Sequence, residues 1–120
     1  MLFRSGLCFL VLAPVALKAQ DPVKVAPNAF KEKINNASVR VLEYRSKPGD
    51  KEGMHSHGAV VICVVSGGKL QSTTPDGKSS VTEYKAGDVI WREAITHSVE
   101  NVGTTEAHAI LVEVKASKKK

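Results

Sequence analysis

Cysteine is scarce in this chain: among 120 residues only Cys8 and Cys63 carry a thiol. Cys8 lies in an apolar stretch near the amino terminus with the layout of a removable leader, so Cys63 stands alone in the expected mature chain. That excludes an intramolecular disulfide and with it a disulfide-stapled scaffold; a hydrophobic core has to hold the domain. Aromatic residues are also few, at 5%. No basic stripe carries them in alternation, so a base-stacking nucleic-acid surface is excluded. No apolar run exceeds the 11 residues from Leu7 to Leu17, against roughly 20 for a helix that crosses a bilayer. Helical periodicity, internal repeats and interdomain linkers are missing too, and the length has room for a single domain.

The first residues have the order of a secretory signal peptide. Arg4 supplies positive charge, Leu7 to Leu17 the apolar segment, and Ala19 a small residue for cleavage, with Leu17 as an imperfect neighbour. We therefore expect a leader over residues 1–19 and an exported protein, periplasmic or secreted, with no membrane attachment once the leader is gone. Arg4 and Lys18 leave with it, so the net charge falls from +5 to +3, which Lys118, Lys119 and Lys120 account for. A neutral body with a solvated lysine end has no particular attraction for nucleic acid or anionic lipid.

What remains reads as strands and turns. Short alternating segments are predicted from Ala29 to Ile34, Val39 to Ser46, Ala59 to Ser66, Lys69 to Thr74, Ser80 to Tyr84, Asp88 to Arg92, His97 to Asn101 and Ala107 to Lys115. Turn residues separate them, among them Asn35-Asn36, Pro48-Gly49-Asp50, Pro75-Asp76-Gly77 and Lys85-Ala86-Gly87. Seven or eight strands at this spacing predict an all-β antiparallel sandwich or barrel. The expected organisation is an N-terminal segment with an edge strand over 20–38, the barrel over 39–115 and a basic tail over 116–120. Ala59 to Ser66 is apolar on both faces, which predicts cover on both faces and suits a homodimer.

His55-Ser56-His57 carries the first chemical signal. In an extended segment residues i and i+2 point the same way, about 6–7 Å apart, so two imidazoles can converge on one ion. Gly49 stands six positions before His55, and Gly68 eleven beyond His57. A second element runs from Gly87 through His97 to Asn101.

Together these elements resemble the two motifs of the cupin superfamily, G-x5-H-x-H-x3/4-E-x6-G and G-x5-P-x-G-x2-H-x3-N. The resemblance covers residues 39 to 115 and extends to small secreted bacterial cupin-type proteins. It implies a double-stranded β-helix, or jelly roll, with His55, His57 and His97 converging inside it on one divalent transition metal. Iron, manganese, nickel, zinc and copper all suit imidazole. Two departures stand out. The family glutamate falls on Val61 or Ile62, and Arg92-Glu93-Ala94-Ile95-Thr96 lacks the second motif's proline and glycine and is one residue short. Three histidines still leave a coordination position open, and three-histidine cupins are known among dioxygenases.

The resemblance therefore implies a small-molecule ligand and, for an enzyme, a dioxygenase-like oxidation of an organic substrate. Glu93, four residues before His97, is the candidate acid–base group. Glu52, Cys63, His108 and Trp91 are weaker candidates for the pocket. Two other readings stay open: a barrel that binds a sugar or small acid without chemistry, and a dimeric structural barrel whose histidines bond internally without metal.

Overall fold

The computed structural model describes residues 20–116. The leader expected over residues 1–19 and the lysines Lys118 to Lys120 lie outside the described residues. Within them, one short helix, α1 (Pro22–Val25), precedes nine strands: β1 (Phe30–Asn35), β2 (Val39–Ser46), β3 (Lys51–His57), β4 (Val60–Ser66), β5 (Gly68–Thr73), β6 (Ser79–Tyr84), β7 (Val89–Arg92), β8 (Ile95–Asn101) and β9 (Ala107–Val114). They form two antiparallel sheets, ordered β1-β2-β9-β4-β7 and β3-β8-β5-β6. No helix among the described residues is long and apolar enough to cross a membrane.

The strand that alternation does not reveal is β3. Its residues, Lys51-Glu52-Gly53-Met54-His55-Ser56-His57, are too polar to read as a pleat with one apolar face. It is held instead by pairing with β8 and by Ser56 N–H, which donates to the Gln20 carbonyl at 2.8 Å. A bulge between Glu52 and His55 breaks the alternation, and both residues are buried. Bulges re-aim side chains in this way.

Two turns of the same build frame the site strands. Lys47-Pro48-Gly49-Asp50 and Lys85-Ala86-Gly87-Asp88 each place glycine at positive φ, +86° and +89°, which side chains with a Cβ rarely adopt. In each, the aspartate N–H donates to the lysine carbonyl, and the aspartate carboxylate accepts from the lysine N–H. Asn101 then ties the first turn to β8. Its backbone N–H donates to the Asp50 carbonyl and its carbonyl accepts from Gly49, both at 2.9 Å. Its buried side chain donates to the carbonyls of Ser46 and Thr105 and accepts from Gly103.

The apolar cluster of the interior comes from one face of the larger sheet. Phe30, Leu42, Tyr44, Val60, Ala107, Ala109 and Leu111 form its buried cluster. The pleat sends Val60, Ile62 and Val64 of β4 inward, and Val61 and Cys63 to the opposite side of the sheet. The inward face is thus the even-numbered set, so Cys63, a candidate for the pocket, points away from it. On β9 the buried residues are Ala107, Ala109, Leu111 and Glu113, and His108 alternates with them.

Candidate metal centre

The three histidines come from neighbouring strands. β3 contributes His55 and His57 at i and i+2, and the β3–β8 register sets His97 directly opposite His55. All three are buried, at 0%, 7% and 5% exposure. Ring centroids lie 4.8 Å apart for His55 and His57, 4.9 Å for His55 and His97, and 5.6 Å for His57 and His97. One nitrogen from each ring falls within 4.8 Å of the others. Phe30 closes one side, its ring 5.2 Å from His55 and 5.5 Å from His57.

What each ring does with its other nitrogen fixes its role. His55 Nδ1 lies 2.6 Å from the Gly53 carbonyl, which can only accept, so the proton sits on Nδ1. Nε2 then carries a lone pair, and it is fully buried with no hydrogen-bond partner. His57 Nδ1 faces Glu113 Oε1 at 3.3 Å, and His97 Nδ1 lies 2.7 Å from Ser72 Oγ. Such outer partners orient metal-binding imidazoles, and the acceptors beside His55 and His57 also settle their tautomers. Burial lowers the pKa of His55. Burial, reinforced by His55, His57 and Arg92 nearby, pushes that of His97 down to about 3. Both rings are therefore neutral over the ordinary pH range, the form that binds metal. A buried, unpartnered imidazole lone pair beside two more rings suits a transition-metal ion.

The rings open on a cavity of about 70 Å³ in the barrel interior, with apolar walls from Val60, Ile62, Leu70, Val99 and Leu111. No family model matches the chain. The beta-alanine degradation protein BauB of Pseudomonas aeruginosa is 33% identical over 84 residues, covering 68% of this chain and 87% of BauB. A cupin domain from Bordetella pertussis has 29% identity and a TM-score of 0.67, over 83% of this chain and 99% of that one. A RmlC-like cupin from Methanocaldococcus jannaschii, with a double-stranded β-helix fold, shares the fold at 15% identity with a TM-score of 0.57, over 72% and 78% of the two chains. The chain belongs to the cupin superfamily, in the family of BauB.

In this cupin the glutamate position of the first motif is apolar, and a carboxylate reaches the histidines from elsewhere. Ile62 lines the cavity where the longer motif spacing puts the glutamate, and Val61 faces away from it. Glu113 of β9, paired across the sheet with Val60, brings its buried carboxylate to His57 instead. Sequence reasoning passed over Glu113. The available signal was a charged residue at the end of the alternate set Ala107, Ala109, Leu111.

The other candidates are dispersed. Glu93 is exposed, and its Oε1 accepts from the Trp91 indole N–H at 2.9 Å. It is not among the residues that line the cavity. Trp91 itself is 53% exposed on the outer side of β7, so it neither plugs the core nor shapes the pocket. His108 is among the residues that line the cavity, but its Nε2–H donates to Glu43 at 3.0 Å and its ring stands outside the histidine trio. Cys63 is a free, half-buried thiol behind the cavity wall. Glu52 is 3% exposed beside the hydroxyls of Tyr44 and Ser46, and among the described residues neither carboxylate oxygen has a well-formed hydrogen bond. Burial raises its pKa, which favours the protonated acid.

Proposed function

We propose that this cupin holds one divalent transition metal on His55, His57 and His97, and that a small organic molecule meets it in the barrel interior. The observation that carries this is the His55 Nε2 lone pair, buried, without a donor, and facing two further imidazoles. Once bound, the ion supplies an open coordination position and the redox chemistry for an oxygen-dependent oxidation. The chain's own residues do the rest. Gly53, Glu113 and Ser72 hold the rings, while the apolar walls exclude water. Glu93 takes part in proton transfer only if its carboxylate leaves the Trp91 indole. The name of BauB refers that protein to β-alanine degradation; carried over, it supports a role in breaking down a small organic compound. Export under the leader of residues 1–19 completes the proposal.

The test is elemental analysis of untagged protein beside a His55→Ala, His57→Ala double variant. We expect about one transition metal per chain in the parent and none in the variant. Protein that stays metal-free after loading with iron, nickel and zinc would overturn the reading.

Among the described residues no carboxylate lines the cavity, which favours a second reading, a barrel that binds its ligand without chemistry. Ligand binding that survives chelation, with no turnover under oxygen, would select it.

For the partner we propose a second copy of this chain. Ile34, Val41, Val112, Val61 and Trp91 stand in register across all five strands of the larger sheet. Both ends of that row are exposed, Ile34 at 49% and Trp91 at 53%. Val89, in the next row beside Cys63, is 71% exposed. A row of apolar side chains across an entire sheet suits self-complementary burial. Sedimentation should show a dimer for the parent and a monomer for Trp91→Glu; a monomeric parent at micromolar concentration refutes the assignment.

A further inference from the structure

β7 is an edge strand whose pleat sends Val89 and Trp91 outward, and Ile90 and Arg92 inward. Arg92 is therefore a cation on the cavity side of a largely apolar barrel. Its Nη2 donates to the Tyr84 hydroxyl at 2.8 Å. Among the described residues no carboxylate lies within ion-pair distance of it; the other inward arginine, Arg40, is by contrast paired with both Asp21 and Glu32. A half-buried guanidinium normally finds an anion, because five donors cannot be satisfied by one hydroxyl.

Arg92 also stands where two spaces join. It lines the cavity of the three histidines and an adjoining one of about 210 Å³, together with Ser72, Thr82 and Ile95. The second cavity adds the hydroxyls of Ser79 and Ser80, that of Thr74, which donates to the adjacent Asp76, and the ammonium of Lys78; among the described residues no acidic residue lines it. Lys78 is largely exposed and only 3.8 Å from Asp76, a pair weakened by solvent. The opening is thus cationic and rich in hydroxyls, and the space beyond it is apolar.

We infer that Arg92 binds the carboxylate of a small organic acid at this junction, with the apolar part of the acid directed toward the three histidines. The inference rests on the reading of the barrel interior as a small-molecule site and names its ligand class. A planar guanidinium fork matches a carboxylate in two parallel hydrogen bonds, and the surrounding hydroxyls supply further donors. Aldehydes, alcohols and amines of the same size leave the guanidinium without its counter-ion and bind weakly. The two volumes suit an acid of a few carbons rather than a sugar chain or a peptide.

The experiment is calorimetric titration of the full chain, as purified and after EDTA, with acetate, propanoate, butanoate, hexanoate and β-alanine, with the amides of these acids, and with inorganic phosphate. We expect at least one acid to bind tenfold or more tightly than its amide. Arg92→Gln should weaken that acid at least tenfold at unchanged melting temperature, Arg92→Lys should restore part of the loss, and Lys78→Ala should cost two- to fivefold. Should Arg92→Gln fail to fold, the acid–amide comparison on the parent and the Arg92→Lys titration decide. Equal binding of acids and amides, no binding by any acid, tighter binding of phosphate than of every acid, or an unchanged affinity in Arg92→Gln would overturn the inference. Acid binding that depends on Arg92, in protein that takes up no metal on loading, upholds it and sinks only the metal reading. Stoichiometric metal without acid preference does the reverse.

Discussion

Replacing Glu113 by alanine isolates what the cross-strand carboxylate does for the candidate metal centre. His57 is 7% exposed, and its Nδ1 has Glu113 Oε1 as its hydrogen-bond partner at 3.3 Å. Without that acceptor the ring has no reason to keep its proton on Nδ1, and either tautomer can face the other histidines. Loss of an outer partner of this kind lowers metal affinity by about 10- to 100-fold, which corresponds to about 1.4–2.7 kcal/mol. Glu113→Gln keeps an acceptor oxygen in nearly the same place, so it should recover most of the loss and differ from the parent by less than about tenfold. Competition against a chelator of known affinity, followed by calorimetry, reads both values, and thermal melting of the metal-free proteins checks that the barrel persists. Affinities within twofold of the parent in both variants would refute the reasoning, because His57 would then be oriented by packing alone.

Acidification provides a second check. His97 is held neutral down to about pH 3 in the fold, whereas in an unfolded chain its pKa is about 6.5. The unfolded state therefore binds more protons between these values, and the stability of metal-free protein should be intact above pH 6.5 and fall as pH drops through that window. His97 alone contributes a slope of about 1.4 kcal/mol per pH unit there, and denaturant titrations of the parent and a His97→Gln variant at pH 7 and pH 5 would isolate it. Glu52 acts with the opposite sign: its raised pKa makes stability decline as pH rises above the ordinary value of 4.5. Asn101→Ala removes a buried side chain that makes three hydrogen bonds, and should destabilise the fold by about 2–4 kcal/mol by the cost of leaving such partners unpaired; chemical denaturation tests it. Asn101→Asp keeps the acceptor for Gly103 but loses both donors, so it should recover little.

Much of the fold was legible because turns and pleats are local. Alternation marked eight of the nine strands, and the Lys-Pro-Gly-Asp and Lys-Ala-Gly-Asp turns announced themselves by glycine. Alternation failed at β3, where polar side chains line the site, and at the bulge that lets Glu52 and His55 both turn inward. It also left the sense of β4 open: a strand apolar on both faces has no internal mark of which face is the core. That ambiguity made Cys63 a candidate for the pocket. Glu93 looked well placed because it is near His97 in the chain, yet it sits in the turn between β7 and β8 while His97 lies inside β8, and the Trp91 indole holds it at the surface.

By itself, the amino-acid sequence determined that this is a small antiparallel β-protein with two imidazoles on one side of an extended segment, because a pleat places i and i+2 together whatever surrounds them. Tertiary structure decided the rest. His97 meets His55 only through the register of β3 with β8, about forty residues apart, and Glu113 and Ser72 reach the rings from two further strands. Arg92 becomes an unpaired cation at a cavity only once β7 has paired with β4. These contacts are non-local, and no spacing along one strand encodes which residue of another will face it.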